Sequence, residues 1–240
     1  MGKYTVNEGK IRGWSEFLFY RWGKSYNPDS RVIKRHYTVA ETHDKKSDQV
    51  ARALTRKVVC GDYAPGEKLR QDAISRDFGV SQATAREALL RLAAQGLTVV
   101  QPRRGICVAP LDRASVEELK VMRLALEPVA LIHSVPHLTP AQISEAVEHQ
   151  VSCDTASNAQ DWEDANRLFH MAIIAGCGMP RLIDEINNLQ LLYARHFLAR
   201  HANRWKPRSD PDHQAIITAI RARDANRASS VLQRHLARLT

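Results

Sequence analysis

No stretch of the 240 residues stays apolar for the roughly 20 positions a helix needs to cross a bilayer, so a helical membrane span is excluded. Cysteine is scarce. Cys60, Cys107, Cys153 and Cys177 are widely spaced and form no CxxC pair, which argues against a disulfide scaffold and a Cys-rich zinc site. The opening residues, MGKYTVNEGK, lack the charged-then-apolar order of a secretory signal, leaving the cytoplasm as the expected compartment. Aromatic residues are few, 15 in all, and eight of them crowd into the first 46 positions. Acidic residues are the minority charge, 26 against 35 basic, for a net +9.

That excess is unevenly placed. Residues 1–46 hold ten basic and five acidic residues, and residues 47–111 hold ten and six. Residues 112–240 hold 15 of each and are neutral. A basic first half joined to a neutral second half points to an anionic partner for the first half alone. Nucleic acid is the usual such partner and a membrane surface comes second. The plainer alternative is a basic protein with no such partner.

Residues 1–46 carry Trp14, Phe17, Phe19, Tyr20 and Trp22 but no periodic pattern long enough for a domain, and read as an arm. From Ser47 the pattern becomes regular. Val50, Ala51, Leu54 and Val58 share one helical face, with Ser47 as the expected N-cap. A turn at 61–69 leads to a short helix that ends at Gly79, a left-handed C-cap position. A third helix starts at the cap residue Ser81, runs to Gly96, and carries a stripe of Ala85, Ala88, Leu89, Leu92 and Ala93. Two β-branched strands follow, Thr98–Gln101 and Ile106–Ala109, around the turn PRRG. This order is a helix-turn-helix with a wing, whose Arg103 and Arg104 would meet phosphates or the minor groove. The alternative is a small α+β core with no ligand.

The run from Gly61 to Leu111, with its AREALLRL, GL and RRG series, resembles the winged-helix domain of GntR-family bacterial transcription regulators. The resemblance implies that the third helix reads base edges. By position, Ser81, Gln82, Thr84 and Arg86 would face DNA, with Arg103, Arg104 and Gly105 in the wing. It also implies a homodimer on a double-stranded operator with an inverted repeat. Family members usually carry Arg directly after the cap, where this chain has Gln82. Arg pairs with guanine and Gln with adenine, so a different operator preference is expected.

Residues 112–240 read as six helices, at 115–134, 140–157, 161–175, 180–201, 210–222 and 224–239, with breakers between most of them. Ser209 is the expected N-cap of the fifth, with Asp210 and Asp212 in its first turn. The fold class is therefore mostly α: a winged helix-turn-helix at 47–111 and an all-α six-helix bundle at 112–240. His170, His213 and His235 lie on three of these helices among apolar neighbours, and Asn166 lies one turn before His170. Three inward imidazoles and an oxygen suit a divalent metal with open positions. The alternative is hydrogen-bonded core histidines. His133 and His196 lack such a constellation and read as structural or surface residues.

RLALE near 123–127, NRLFH at 166–170, DHQAIITAIRARD at 212–224 and ASSVLQRHL at 228–236 resemble the landmarks of the FCD domain in the FadR-like subfamily. The resemblance implies a metal, zinc or nickel foremost, on Asn166, His170, His213 and His235, holding a small carboxylate effector. Asp is commoner than Asn at the first ligand position, which implies weaker metal occupancy here. Arg123 matches a pocket-facing position and would clamp the carboxylate; its alternative is an i, i+4 pair with Glu127 on a solvated face. Two other functions compete with a ligand-responsive regulator. One is a metal-dependent hydrolase with an appended basic domain, against which Glu163 and Asp164 read as lying on other helix faces than the ligands. The other is a metal-free regulator that senses an acyl chain. No membrane partner is expected.

Overall fold

The computed structural model describes residues 45–202, 204–207 and 209–238. The aromatic arm expected at 1–46 lies outside them, except for its last two positions. Among the described residues there are nine α-helices and one two-stranded sheet, and no helix is long and apolar enough to cross a membrane.

Helix α1 (Lys46–Cys60) buries Val50, Leu54 and Val58 on one face. It starts two residues earlier than expected, with Lys45 at the cap position, and Ser47 is buried inside it rather than capping it. The cause is tertiary: Asp48 meets Arg91 of the third helix at 2.5 Å, which draws the start of α1 onto that neighbour. Helix α2 (Gln71–Phe78) stops at Gly79, whose φ of 61° is the left-handed conformation that a side chain would resist. Helix α3 (Gln82–Ala94) is capped as expected, with the Thr84 N–H donating to Ser81 Oγ at 3.1 Å. It closes two residues earlier than expected, because Gly96 turns to a φ of 78°.

Strands β1 (Thr98–Gln101) and β2 (Gly105–Val108) pair antiparallel, with Val99 opposite Cys107 and Gln101 opposite Gly105. That register moves the second strand one residue towards the N-terminus and leaves Pro102, Arg103 and Arg104 in the turn. The segment read as a turn at 61–69 does more than turn. Gly66 and Leu69 donate N–H bonds to Val108 and Ile106, and Glu67 accepts from Val108. The chain there occupies the edge of β2 that β1 leaves open, since an unpaired edge is a costly surface to leave bare.

The second half contains helices α4 (Arg113–Ser134), α5 (Pro140–Thr155), α6 (Ala159–Ile173), α7 (Pro180–His201), α8 (Pro211–Arg221) and α9 (Ala225–Ala237). The six expected helices are present. The cap of α8 is Asp210 rather than Ser209, and its carboxylate accepts the Asp212 N–H at 2.9 Å. Pro211 sets the first helical position, which puts the residue before it at the cap. Helix α5 packs on α6, α9 on α4 and α8, and α7 on α4 and α6. Leu131, Phe169, Ile173, Ile216 and Leu232 are fully buried among them. Each such side chain contributes about 1.5–3 kcal/mol relative to exposure. A Cβ on Gly176 would stand 2.7 Å from the Ser134 carbonyl, so only glycine lets the α6–α7 connection pass the end of α4.

Helix α7 also packs on α1, joining the two halves. Buried Arg195 of α7 donates to the carbonyls of Ala109 and Pro110, immediately after the wing. Half-buried His196 lines a cavity of about 560 Å³ beside this joint, with Asp112, Tyr193 and Phe197, while His133 is exposed on α4.

Candidate functional site

Several basic and polar side chains of the winged half are open to solvent. Gln82 and Arg86 project from the first turns of α3 and are exposed, as are Arg103, Arg104 and Gly105 at the wing tip. Ser81 is exposed and Thr84 half-buried, but their hydroxyls bond each other at 2.9 Å and serve the cap. Arg103 holds a φ of 63°, a strained value for a side-chain-bearing residue, which turns the wing tip sharply. Sequence reasoning passed over Lys68. It bridges to Cys107 and its Cε lies 3.6 Å from the place a Gly105 Cβ would take, so a third cation stands beside the wing.

The second site lies inside the bundle. His170 of α6, His213 of α8 and His235 of α9 are buried, and their ligand atoms lie within 4.8 Å of one another. Each comes from the expected helix, and the packing of the bundle brings together three residues up to 65 positions apart. His170 Nδ1 sits 2.9 Å from Glu127 Oε2. A carboxylate only accepts, so Nδ1 donates, which leaves Nε2 as the ring atom available to a ligand. That Nε2 is buried with no hydrogen-bond partner, and so is Asn166 Oδ1 one turn earlier on the same face. His235 Nδ1 has Asp210 Oδ2 behind it at 3.3 Å. Three converging buried imidazoles, two of them backed by carboxylates, fit a divalent cation.

At His235 the surroundings favour neutral imidazole, the form a metal takes. Burial, with the nearby His170, pushes His235 down to about 4 against the opposing pull of Asp210. Burial alone would raise Glu127, but Arg123 and His170 outweigh it and hold the carboxyl at about 2. Arg123 Nε donates to Glu127 Oε1 at 2.5 Å, and its guanidinium stands 4.9 Å from the centre of the Tyr193 ring. The Arg123–Glu127 pair considered for a solvated face is therefore present but enclosed, and works as a support for His170.

A second correction concerns Glu163. It is 3% exposed, and burial pushes its carboxyl up to about 8 against the pull of Arg123 and Arg167. The reading that set it on another face from the ligands fails. Seven residues make nearly two helical turns, so Glu163, Asn166 and His170 share one face of α6. The spacing held that signal; the structure adds its burial.

Residues 46–108 match the profile of bacterial regulatory proteins of the gntR family, and residues 118–238 match the FCD domain. The chain belongs to the GntR family. It is a DNA-binding transcription regulator with an FCD effector-binding domain, of the FadR-like kind, and not an enzyme. The HTH-type transcriptional regulator BphR of Paraburkholderia xenovorans is 31% identical over 194 residues, spanning 76% of this chain and 79% of its own. The HTH-type transcriptional repressor GlaR of Escherichia coli is 28% identical over 200 residues, spanning 77% and 90%. The solved structure of E. coli McbR/YncC matches with a TM-score of 0.70 at 24% identity, covering 80% of this chain and 94% of that one, a likeness of fold.

Proposed function

We propose that the regulator binds, as a homodimer, a double-stranded operator with an inverted repeat, and that a small carboxylate on a divalent metal in the bundle sets its operator affinity. The reading divides the chain into an arm at 1–46, a reading head at 47–111 and an effector and dimerisation domain at 112–240. Ser81, Gln82, Thr84 and Arg86 face the operator, with Arg103, Arg104 and Gly105 of the wing, and Gln82 favours adenine. The exposed apolar side chains of Val121, Val129 and Ile132 on one face of α4 support a second copy as partner. A DNA partner implies work in the cytoplasm, without a membrane partner.

One observation carries the effector half: three buried histidines whose ligand atoms lie within 4.8 Å of one another. Asn166, His170, His213 and His235 would hold the ion, zinc or nickel, and the ion would supply open positions to a carboxylate. Arg123 adds a fixed positive charge on the same wall. The polar interior does not suit an acyl chain. Arg195, bonded to the carbonyls that follow the wing, ties α7 to the reading head. Coupling between the two sites is expected at about 1–3 kcal/mol and must be reciprocal.

The test is a titration of chelator-stripped protein with zinc or nickel while following thermal stability. An ion that binds only the folded state raises the midpoint as its concentration rises. His213→Ala should abolish that rise and leave effector-free operator binding intact. A flat response to both metals at neutral pH would overturn the metal reading.

A further inference from the structure

The polar interior of the bundle holds more unmet groups than a metal uses. Glu163 Oε2 is sealed from solvent and has no hydrogen-bond partner. The same is true of both side-chain polar atoms of Gln190 on α7, a residue 2% exposed. Leaving such groups bare costs about 1–3 kcal/mol each, so a protein that retains them reserves them for something else.

Their positions converge on Arg123. Glu163 lies on the face of α6 that carries Asn166 and His170, and is close enough to Arg123 and Glu127 to feel both charges. Gln190 lies three residues before Tyr193, on the same face of α7, and the Tyr193 ring faces the Arg123 guanidinium. Neither residue belongs to the proposed metal set.

The chemistry of the orphans limits what can satisfy them. Gln190 offers one donor group and one acceptor. Glu163 Oε2 needs a donor when it is a carbonyl or carboxylate oxygen and an acceptor when it carries the proton. A second carboxylate on the ligand would only accept, which would leave the Gln190 carbonyl bare. An ammonium would only donate, beside Arg123 and Arg167. A hydroxyl does both and is neutral.

The geometry points to Glu163 and Gln190 as residues that read hydroxyl groups of the effector, so that the site takes a hydroxylated carboxylate in preference to its deoxy counterpart. This rests on the reading of the bundle as a metal-carboxylate site. The carboxylate would go to the metal and Arg123, and the carbons next to it would present hydroxyls to α6 and α7.

The experiment uses the full chain loaded with zinc and three matched pairs of probes: lactate and propionate, malate and succinate, gluconate and hexanoate. Calorimetry measures the affinity of each. At least one hydroxylated member should bind about tenfold or more tighter than its partner, because a site built to bond a hydroxyl rejects the analogue without it. Glu163→Leu and Gln190→Leu should erase that preference while keeping the zinc-induced rise in thermal midpoint. Glu163→Gln, which keeps hydrogen-bonding atoms in the same volume, should retain part of it. No preference in any pair, in protein whose zinc response is normal, overturns the inference and leaves the metal reading standing. A preference that survives both leucine variants overturns the assignment to these two residues. A missing zinc response overturns the metal reading and this inference together.

Discussion

His170 and Glu127 meet at 2.9 Å with about 1% of either side chain exposed, one on α6 and the other 43 residues earlier on α4. Arg123 closes the far side of the carboxylate. A buried carboxylate is tolerated only when fully paired, and here an imidazole and a guanidinium share it. The pairing fixes the His170 ring, so the proposed ligand set would be oriented by residues that do not themselves touch the ion.

Glu127→Gln should therefore weaken zinc binding by about 10–100-fold, the usual cost of losing a carboxylate behind a ligand imidazole. Operator binding without effector should be unchanged, since the reading head lies outside this network. Competition against a zinc-selective dye measures the first, and a gel-shift titration the second. Unaltered zinc affinity would remove Glu127 from the site.

On the DNA side, Arg86→Ala should cost about 1–3 kcal/mol at the operator and relax sequence preference at one position. Arg103→Ala should weaken operator and random DNA alike and reduce the salt slope by about one. Fluorescence anisotropy over a range of salt concentrations separates these behaviours. Wild-type binding by both variants would refute the assigned reading surface.

Glu163 yields a pH signature in chelator-stripped protein. Its carboxyl is raised from an ordinary value near 4.5 to about 8, by burial first, with Arg123 and Arg167 opposing and Asp164 and Glu127 adding to the rise. Between those values the folded state keeps a proton that the unfolded state has released, so stability falls as pH rises through the window. Glu163→Gln removes this loss. The variant should gain in thermal midpoint over wild type at about pH 9 and lose that advantage near pH 4–5. A difference independent of pH would show that Glu163 titrates normally.

Arg195→Ala should loosen the joint between the halves. Two carbonyl bonds are lost, the one to Ala109 buried, at about 1–3 kcal/mol for the buried carbonyl left unpaired. Proteolysis at residues 109–112 should quicken, and the effector's influence on operator affinity should shrink while the effector-free affinity holds. Unchanged coupling would place the route between the sites elsewhere.

Most of the architecture could be read along the chain. Helix periodicity, the Ser81 cap, the left-handed Gly79 and the β-branched pairs around PRRG are local signals, and local signals survive folding. His170, His213 and His235 could be matched because each sits among apolar neighbours on its own helix, and Asn166 follows from i, i+4 geometry. Tertiary structure decided what depends on which element lies opposite. Ser47 fails to cap α1 because Asp48 is drawn to Arg91 on another helix. The segment before α2 joins the wing because β2 has a free edge. Helical spacing left Arg123 either facing a pocket or paired with Glu127 on a solvated face, and only α6 and α7 packing over the pair makes it the enclosed support of His170. Glu163 and Gln190 look like ordinary polar residues of amphipathic helices. Burial without partners is a property of the whole bundle, fixed by contacts between distant residues, and periodicity within one helix cannot encode it.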